Sequence, residues 1–239
     1  MREIVTPSDL TYIGIFLTFR CGFKCPYCIN RHGQLKPLKE LTAEQWIEGL
    51  NRLRVDRSLM VPITLSGGEP SKHKGFIDII KDLKADFYID ILTNLDFDID
   101  KFMQKIPPER LQRDVPYASI RVSYHKGQSD ISDLFAKLFK LQHSGYSVGL
   151  FAVDHPDINY DYIKRLSKQL GIDFRLKEFL GVWQNTLWGH YKYPDAINGT
   201  LKSVKCKTTE LLIAPDGNIH KCHRDLYHGE NPVGNILDE

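Results

Sequence analysis

The chain has 239 residues, enough for one main domain with a sizeable core and a small appendage. With 42% hydrophobic residues, a mean hydropathy of -0.32 and a net charge of +2, it reads as an ordinary globular protein. The charge is too small to argue for a nucleic-acid partner, and no apolar run reaches the length of a membrane span. Its five cysteines, three of them within eight residues, do not form the spaced set of a secreted disulfide framework, and the first residues do not read as a secretory signal. A reducing, cytoplasmic setting is therefore expected.

Strand-like runs near residues 12–19, 61–65, 87–93, 117–123, 147–153 and 173–179 alternate with amphipathic helical segments. Thr42 and Gln45 form a capping box ahead of Trp46, Ile47 and Leu50, while Ile131, Leu134, Phe135, Leu138 and Leu141 recur at helical spacing. Such alternation implies parallel strands joined by right-handed crossovers, and six units rather than eight predict an open, partial (β/α)6 TIM-like barrel of the α/β class. In such folds ligands gather at the carboxyl ends of the strands. An aromatic stretch without clear period follows (Trp183, Trp188, His190, Tyr191 and Tyr193), and a boundary is placed near Pro194, giving a barrel over 1–194 and an extension over 195–239. Within the extension, Glu210 to His220 reads as a β-hairpin turned at Asp216-Gly217.

Directly after the first strand come Cys21, Cys25 and Cys28 in a C-x3-C-x2-C run, with Tyr27 before the last cysteine. A four-iron cluster is normally held by about four thiolates, so three clustered cysteines with no fourth nearby leave one iron open to another ligand. A structural zinc site is the competing reading, but it ordinarily supplies ligands in two close pairs. After the second strand comes Leu65-Ser66-Gly67-Gly68-Glu69-Pro70, where glycines let backbone approach a ligand and the Glu69 carboxylate suits an ammonium group. Alone, this run would be a turn. Taken together, the cysteine spacing and the Gly-Gly-Glu-Pro run resemble the radical S-adenosylmethionine (SAM) superfamily.

The resemblance implies that Cys21, Cys25 and Cys28 hold a 4Fe-4S cluster whose open iron chelates the amino and carboxylate groups of SAM, with Ser66, Gly67, Gly68 and Glu69 at the methionine end. It assigns Thr93 and Asn94, ending the third strand, and Ser123, ending the fourth, to the ribose hydroxyls and carboxylate of SAM, and Val153 with Ala152 to the adenine. Polar residues at strand ends are also routine caps. Arg175 reads either as a carboxylate clamp or as an ion pair within the barrel, because guanidinium binds carboxylates bidentately. Tyr27, Phe19 and Phe23 shield the cluster from water or are simply core aromatics. His125, two residues past Ser123, is a substrate contact or a solvated loop residue.

Cys206, Gly217 and Cys222, with His223 and Val233-Gly234-Asn235-Ile236, resemble the start of a SPASM or twitch extension, which binds auxiliary iron-sulfur clusters. No cysteine follows Cys222, where the full extension has several, so the resemblance is to a truncated extension, in which thiolates alone are not expected to complete a site. Three readings stand open: an auxiliary cluster completed by His220, His223, Asp225 or His228; a hairpin without metal; or ligands supplied by another chain or by substrate.

The activity implied is one-electron reduction by a flavodoxin- or ferredoxin-type donor, cleavage of SAM to methionine and a 5'-deoxyadenosyl radical, and hydrogen abstraction from substrate. A peptide or protein is the leading substrate, as for SPASM and twitch relatives. A small metabolite, nucleoside or sugar is the alternative. A non-catalytic iron-sulfur electron carrier is the alternative of another class, and the Gly-Gly-Glu-Pro run speaks against it.

Overall fold

The structure is a computed structural model that describes residues 3–31, 39–191, 203 and 208–238. Its elements are β1 (Ile4–Val5), β2 (Tyr12–Thr18), α1 (Ala43–Leu50), β3 (Leu53–Arg54), β4 (Ile63–Gly67), α2 (Phe76–Asp82), β5 (Ile89–Thr93), α3 (Ile99–Lys105) and β6 (Ile120–Ser123). They continue with α4 (Ile131–His143), β7 (Val148–Asp154), α5 (Asp161–Gln169), β8 (Asp173–Glu178), β9 (Gly181–Trp183) and β10 (Thr186–Trp188). The last are β11 (Glu210–Ile213), β12 (Asn218–His220), α6 (His223–His228) and β13 (Gly234–Asn235).

A nine-stranded sheet runs in the order β13-β12-β11-β2-β4-β5-β6-β7-β8. The six strands from β2 to β8 are parallel, each reached through a helix, as the alternation of patterns predicts. The end strands β13 and β8 are not paired with each other among the described residues, so the sheet is an open barrel.

Side-chain alternation divides the sheet into two faces. One presents Ile13, Ile15, Leu17, Ile63, Leu65, Ile89, Ile91, Ile120, Val122 and Leu150 to Trp46, Leu50, Ile79, Phe102 and Leu138 of the helices, and these residues form one buried core. Each such side chain contributes about 1.5–3 kcal/mol on burial. Thr42 caps α1 by accepting from the Gln45 N–H at 3.3 Å, while its own N–H donates to Gln45 Oε1 at 3.0 Å, the capping box expected. The apolar stripe of α4 buries Leu134, Phe135, Leu138 and Leu141.

The opposite face carries Tyr12, Phe16, Thr64, Asp90, Arg121, Ser123, Phe151, Arg175 and Lys177, as strand register requires. None of the crossover helices α1 to α5 packs on it, and it is helix-free in that sense, the short helix near the end of the chain apart. Near its middle Asp90, 1% exposed, takes Arg113 at 2.8 Å and Arg121 at 3.0 Å.

The hairpin at 210–220 forms as β11 and β12, with Gly217 at φ 84 in the turn. Sequence reading missed where it goes: β11 adds in parallel to β2, extending the barrel sheet, and α6 lays Leu226 and Tyr227 against Phe16 and Leu212 on the helix-free face. The aromatic stretch after residue 179, read as aperiodic, contains the β9–β10 hairpin, whose turn residues Gln184 and Asn185 both have positive φ, 48 and 60. The short pair β1–β3 was also unforeseen. The boundary near Pro194 lies outside the described residues.

Candidate active site

The cysteine loop leaves the carboxyl end of β2 and is fastened on two sides. On one side the Gly-Gly-Glu run continues β4 as a ladder on the loop's first residues: Gly68 N–H donates to Thr18 O at 2.7 Å and Glu69 N–H to Arg20 O at 2.8 Å. Asn30 Nδ2 donates to Gly67 O at 3.1 Å. On the other side Lys24 N–H donates to Gln128 Oε1 at 2.9 Å, in the loop after β6. The glycines are required here by the chain itself. A Cβ on Gly67 would stand 2.1 Å from Thr18 O, and one on Gly68 would stand 2.3 Å from Arg20 O, distances at which backbone oxygens cannot yield.

Glu69 is 1% exposed and is the junction of the β4 and β5 rims. Its Oε1 accepts from Ser71 N–H at 3.2 Å, Ser71 Oγ at 2.7 Å and Thr93 Oγ1 at 2.8 Å, and its Oε2 accepts from Asn94 N–H at 2.7 Å. Burial raises its pKa above the ordinary carboxylate value, and these four donors oppose that rise. The carboxylate expected to face a ligand ammonium is thus engaged within the chain. Asn94 carries the connection onward, its Nδ2 lying 3.6 Å from Cys21 Sγ.

Cys21, Cys25 and Cys28 are free of disulfide bonds, with Cys21 exposed and Cys25 buried. Phe23 N–H points at Cys21 Sγ at 3.4 Å. Partial desolvation raises the Cys21 thiol pKa, the Phe23 N–H opposes the rise, and the Glu69 carboxylate adds to it. A bound cation reverses that preference and holds the thiolate. Three reduced thiols on one loop, with N–H donors aimed at Cys21 sulfur, are a donor set that fits an iron-sulfur cluster.

Tyr27 turns its ring across the sheet's rim, 5.8 Å from the His125 ring and 5.7 Å from that of His155. Burial pulls the His125 pKa down to about 4, leaving the imidazole neutral, and pushes the Tyr27 phenol up. Tyr27 Oη and His125 Nδ1 share a hydrogen bond of 3.0 Å, with the donor set by the imidazole tautomer. His155 escaped the sequence reading. Its ring centroid lies 4.9 Å from Phe179 and 4.5 Å from Trp183, and these residues with Tyr27 and Pro26 line a cavity of about 490 Å³ beside the cysteine loop. A signal existed: His155 stands two residues past Val153, as His125 stands two past Ser123.

The remaining expected residues divide. Ser66 and Ser123 are half-buried at strand ends on the helix-free face, and Thr93 and Asn94 are buried at the β5 rim. Val153 sits on the same face, its carbonyl accepting from His155 N–H at 2.7 Å. Arg175 does not reach the cysteine loop. Its guanidinium is held by Asp173 Oδ2 at 2.7 Å and donates to Pro116 O at 3.0 Å, toward the amino ends of the strands, so the internal ion pair is the arrangement formed.

At the extension, Cys222 is the N-cap of α6, its sulfur 3.5 Å from Asp225 N–H. His220 Nδ1 pairs with Glu230 O at 3.0 Å, Asp225 with Arg224 at 2.9 Å, and His223 packs among Tyr12, Phe16 and Tyr227. Cys206 lies outside the described residues. Among the described residues no three His, Cys, Asp or Glu side chains converge on a single-ion site, and no helix is long and apolar enough to cross a membrane.

Comparison with known proteins gives this geometry a family. The solved structure of anSMEcpe with bound AdoMet superposes with a TM-score of 0.61 at 16% identity, over 95% of this chain and 78% of that one. BtrN in complex with AdoMet and 2-DOIA gives 0.53 at 18%, over 99% and 80%. At such identities the likeness is one of fold. Among curated proteins, molybdenum cofactor biosynthesis protein 1 of Drosophila melanogaster is 36% identical over 76 residues, 31% of this chain and 13% of that protein. GTP 3',8-cyclase of Agrobacterium fabrum is 30% identical over 74 residues, 31% and 21%. The chain's matches thus span less than a quarter of these two relatives. The model of the Radical SAM superfamily matches residues 15–170, well over half of the chain, and the chain belongs to that superfamily.

Proposed function

We propose that Cys21, Cys25 and Cys28 hold the 4Fe-4S cluster implied by the family, and that the chain uses it with SAM to remove a hydrogen atom from a substrate lying against the helix-free face of the sheet. The observation that carries this reading is the joining of two motifs into one rim: Glu69 accepts from Asn94 N–H, and Asn94 Nδ2 reaches Cys21 sulfur. When bound, the cluster and SAM supply reductive cleavage of the sulfonium to methionine and a 5'-deoxyadenosyl radical.

The chain's own residues bind, orient and shield. Glu69 fixes the β4 and β5 rims so that Asn94 and the Gly-Gly backbone stand beside the thiols. The cavity walled by Tyr27, His155, Phe179 and Trp183 is apolar and aromatic and suits a purine ring, excluding water from the radical's path. Ser66 and Ser123 face the same rim and offer hydroxyls to the ribose and carboxylate of SAM. Tyr227 on α6 and Phe19 close the helix-free face near β2, with their rings 5.9 Å apart.

A peptide substrate is supported by the fold shared with anSMEcpe, also solved with a bound peptide. A nucleotide is supported by the resemblance to GTP 3',8-cyclase. Anaerobic reconstitution followed by 5'-deoxyadenosine release, alone, with a peptide library and with nucleotides, tests both parts. Release stimulated by peptides favours the first class, and stimulation by nucleotides alone favours the second.

A further inference from the structure

Three cations crowd one ring on the helix-free face. Arg121 Cζ lies 5.3 Å, Arg175 Cζ 4.6 Å and Lys177 Nζ 5.3 Å from the ring centroid of Tyr117, and Lys177 Nζ is also 5.6 Å from the Phe151 ring. The register explains the crowding: Ser123 pairs with Phe151 and Phe151 with Arg175, while Val153 pairs with Lys177, so all five side chains leave the same face. Two carboxylates answer these charges. Asp90 is shared between Arg113 and Arg121, and Asp173 pairs with Arg175. Among the described residues four cations thus face two anions. Arg121 Nε is buried without a hydrogen-bond partner, and Lys177 has no carboxylate partner, both among the described residues. Lys177 is exposed on β8, an end strand of the sheet.

We infer that this group is an oxyanion subsite, which takes a carboxylate or phosphate of the substrate. Lys177 and Arg175 supply charge and N–H donors, Arg121 a fixed fork beneath them, and Tyr117 the platform that aligns the guanidinium groups. The Arg175 backbone is in register with Ser123 while its guanidinium turns toward the amino ends of the strands, so a molecule anchored there lies along the same face that leads to the cysteine-loop rim. Only the statement that the anchored molecule is the substrate rests on the proposed function.

The test is calorimetric titration of the full chain with pyrophosphate and with glutarate, in chloride buffer at constant ionic strength. One of the two binds saturably to the wild type. Lys177→Gln and Arg175→Gln each weaken that binding by about tenfold, the size of a charged hydrogen bond, and Lys177→Arg restores it. Circular dichroism on each variant verifies the fold, which exposed Lys177 does not support. Preference for pyrophosphate identifies a nucleotide or sugar phosphate, and preference for glutarate an acidic peptide or metabolite. Saturable binding of neither anion, or equal affinity in a Lys177→Gln/Arg175→Gln double variant, overturns the inference and leaves a solvated strand edge. Specific anion binding in a chain that never releases 5'-deoxyadenosine would sink the proposed function and leave the subsite standing.

Discussion

Replacing Glu69 by Gln separates two roles for the most buried carboxylate of the site. In the structure its oxygens accept four hydrogen bonds, three on Oε1 and one on Oε2. Glutamine keeps one acceptor oxygen and turns an NH2 toward a donor. With the oxygen placed toward Ser71 and Thr93, the NH2 meets Asn94 N–H and leaves that buried group unpaired, at a cost of about 1–3 kcal/mol. The surviving bonds lose their charge assistance, which adds about 1–2 kcal/mol. A total of about 2–5 kcal/mol, divided by a urea slope of about 2 kcal/mol/M, moves the unfolding midpoint of the metal-free chain down by roughly 1–2.5 M. Glu69→Asp does not rescue it, because a shorter side chain cannot span the two rims. A midpoint unchanged by Glu69→Gln, with loss confined to SAM binding, would refute the reasoning and return Glu69 to the role of ligand residue.

Other expectations follow from the same geometry. His125 titrates near 4 in the folded chain against about 6.5 unfolded, so the native state binds fewer protons; stability is full above pH 6.5 and falls by about 3 kcal/mol as pH drops toward 4. Urea unfolding of the metal-free chain across that window checks it, and His125→Asn flattens the slope. Gly68→Ala puts a methyl 2.3 Å from Arg20 O, breaks the ladder under the cysteine loop and costs about 1–3 kcal/mol or displaces the loop, read by unfolding and by iron retention. Cys222→Ala removes a weak sulfur cap from α6, costs no more than about 1 kcal/mol and leaves the iron content unchanged.

Much of this molecule is legible in its sequence, for definite reasons. Parallel strands buried against helices show as apolar residues at every second position, as in Ile13, Ile15 and Leu17, and a capping box at Thr42 is a local signal. What failed to show was long-range or local in an unusual way. Nothing in Glu210 to Ile213 says that the strand joins β2, because pairing partners 198 positions apart leave no pattern in either segment. The β9–β10 turn is built on Gln184-Asn185 rather than a glycine pair, so its left-handed backbone carried no flag. At the site, cysteine spacing showed which residues belong together. The roles within it were harder to read, because the intrachain partners that Glu69 and Arg175 take up, Asn94 and Asp173, leave no local pattern in the sequence.

The central claim is tested most directly by reconstituting the protein without oxygen and measuring iron per chain together with 5'-deoxyadenosine formed from SAM under dithionite. The account predicts about four irons and nucleoside release in the wild type, with both lost in Cys21→Ala, Cys25→Ala and Cys28→Ala. Iron bound with no SAM cleavage under any reductant, or release that persists in Cys25→Ala, would contradict it.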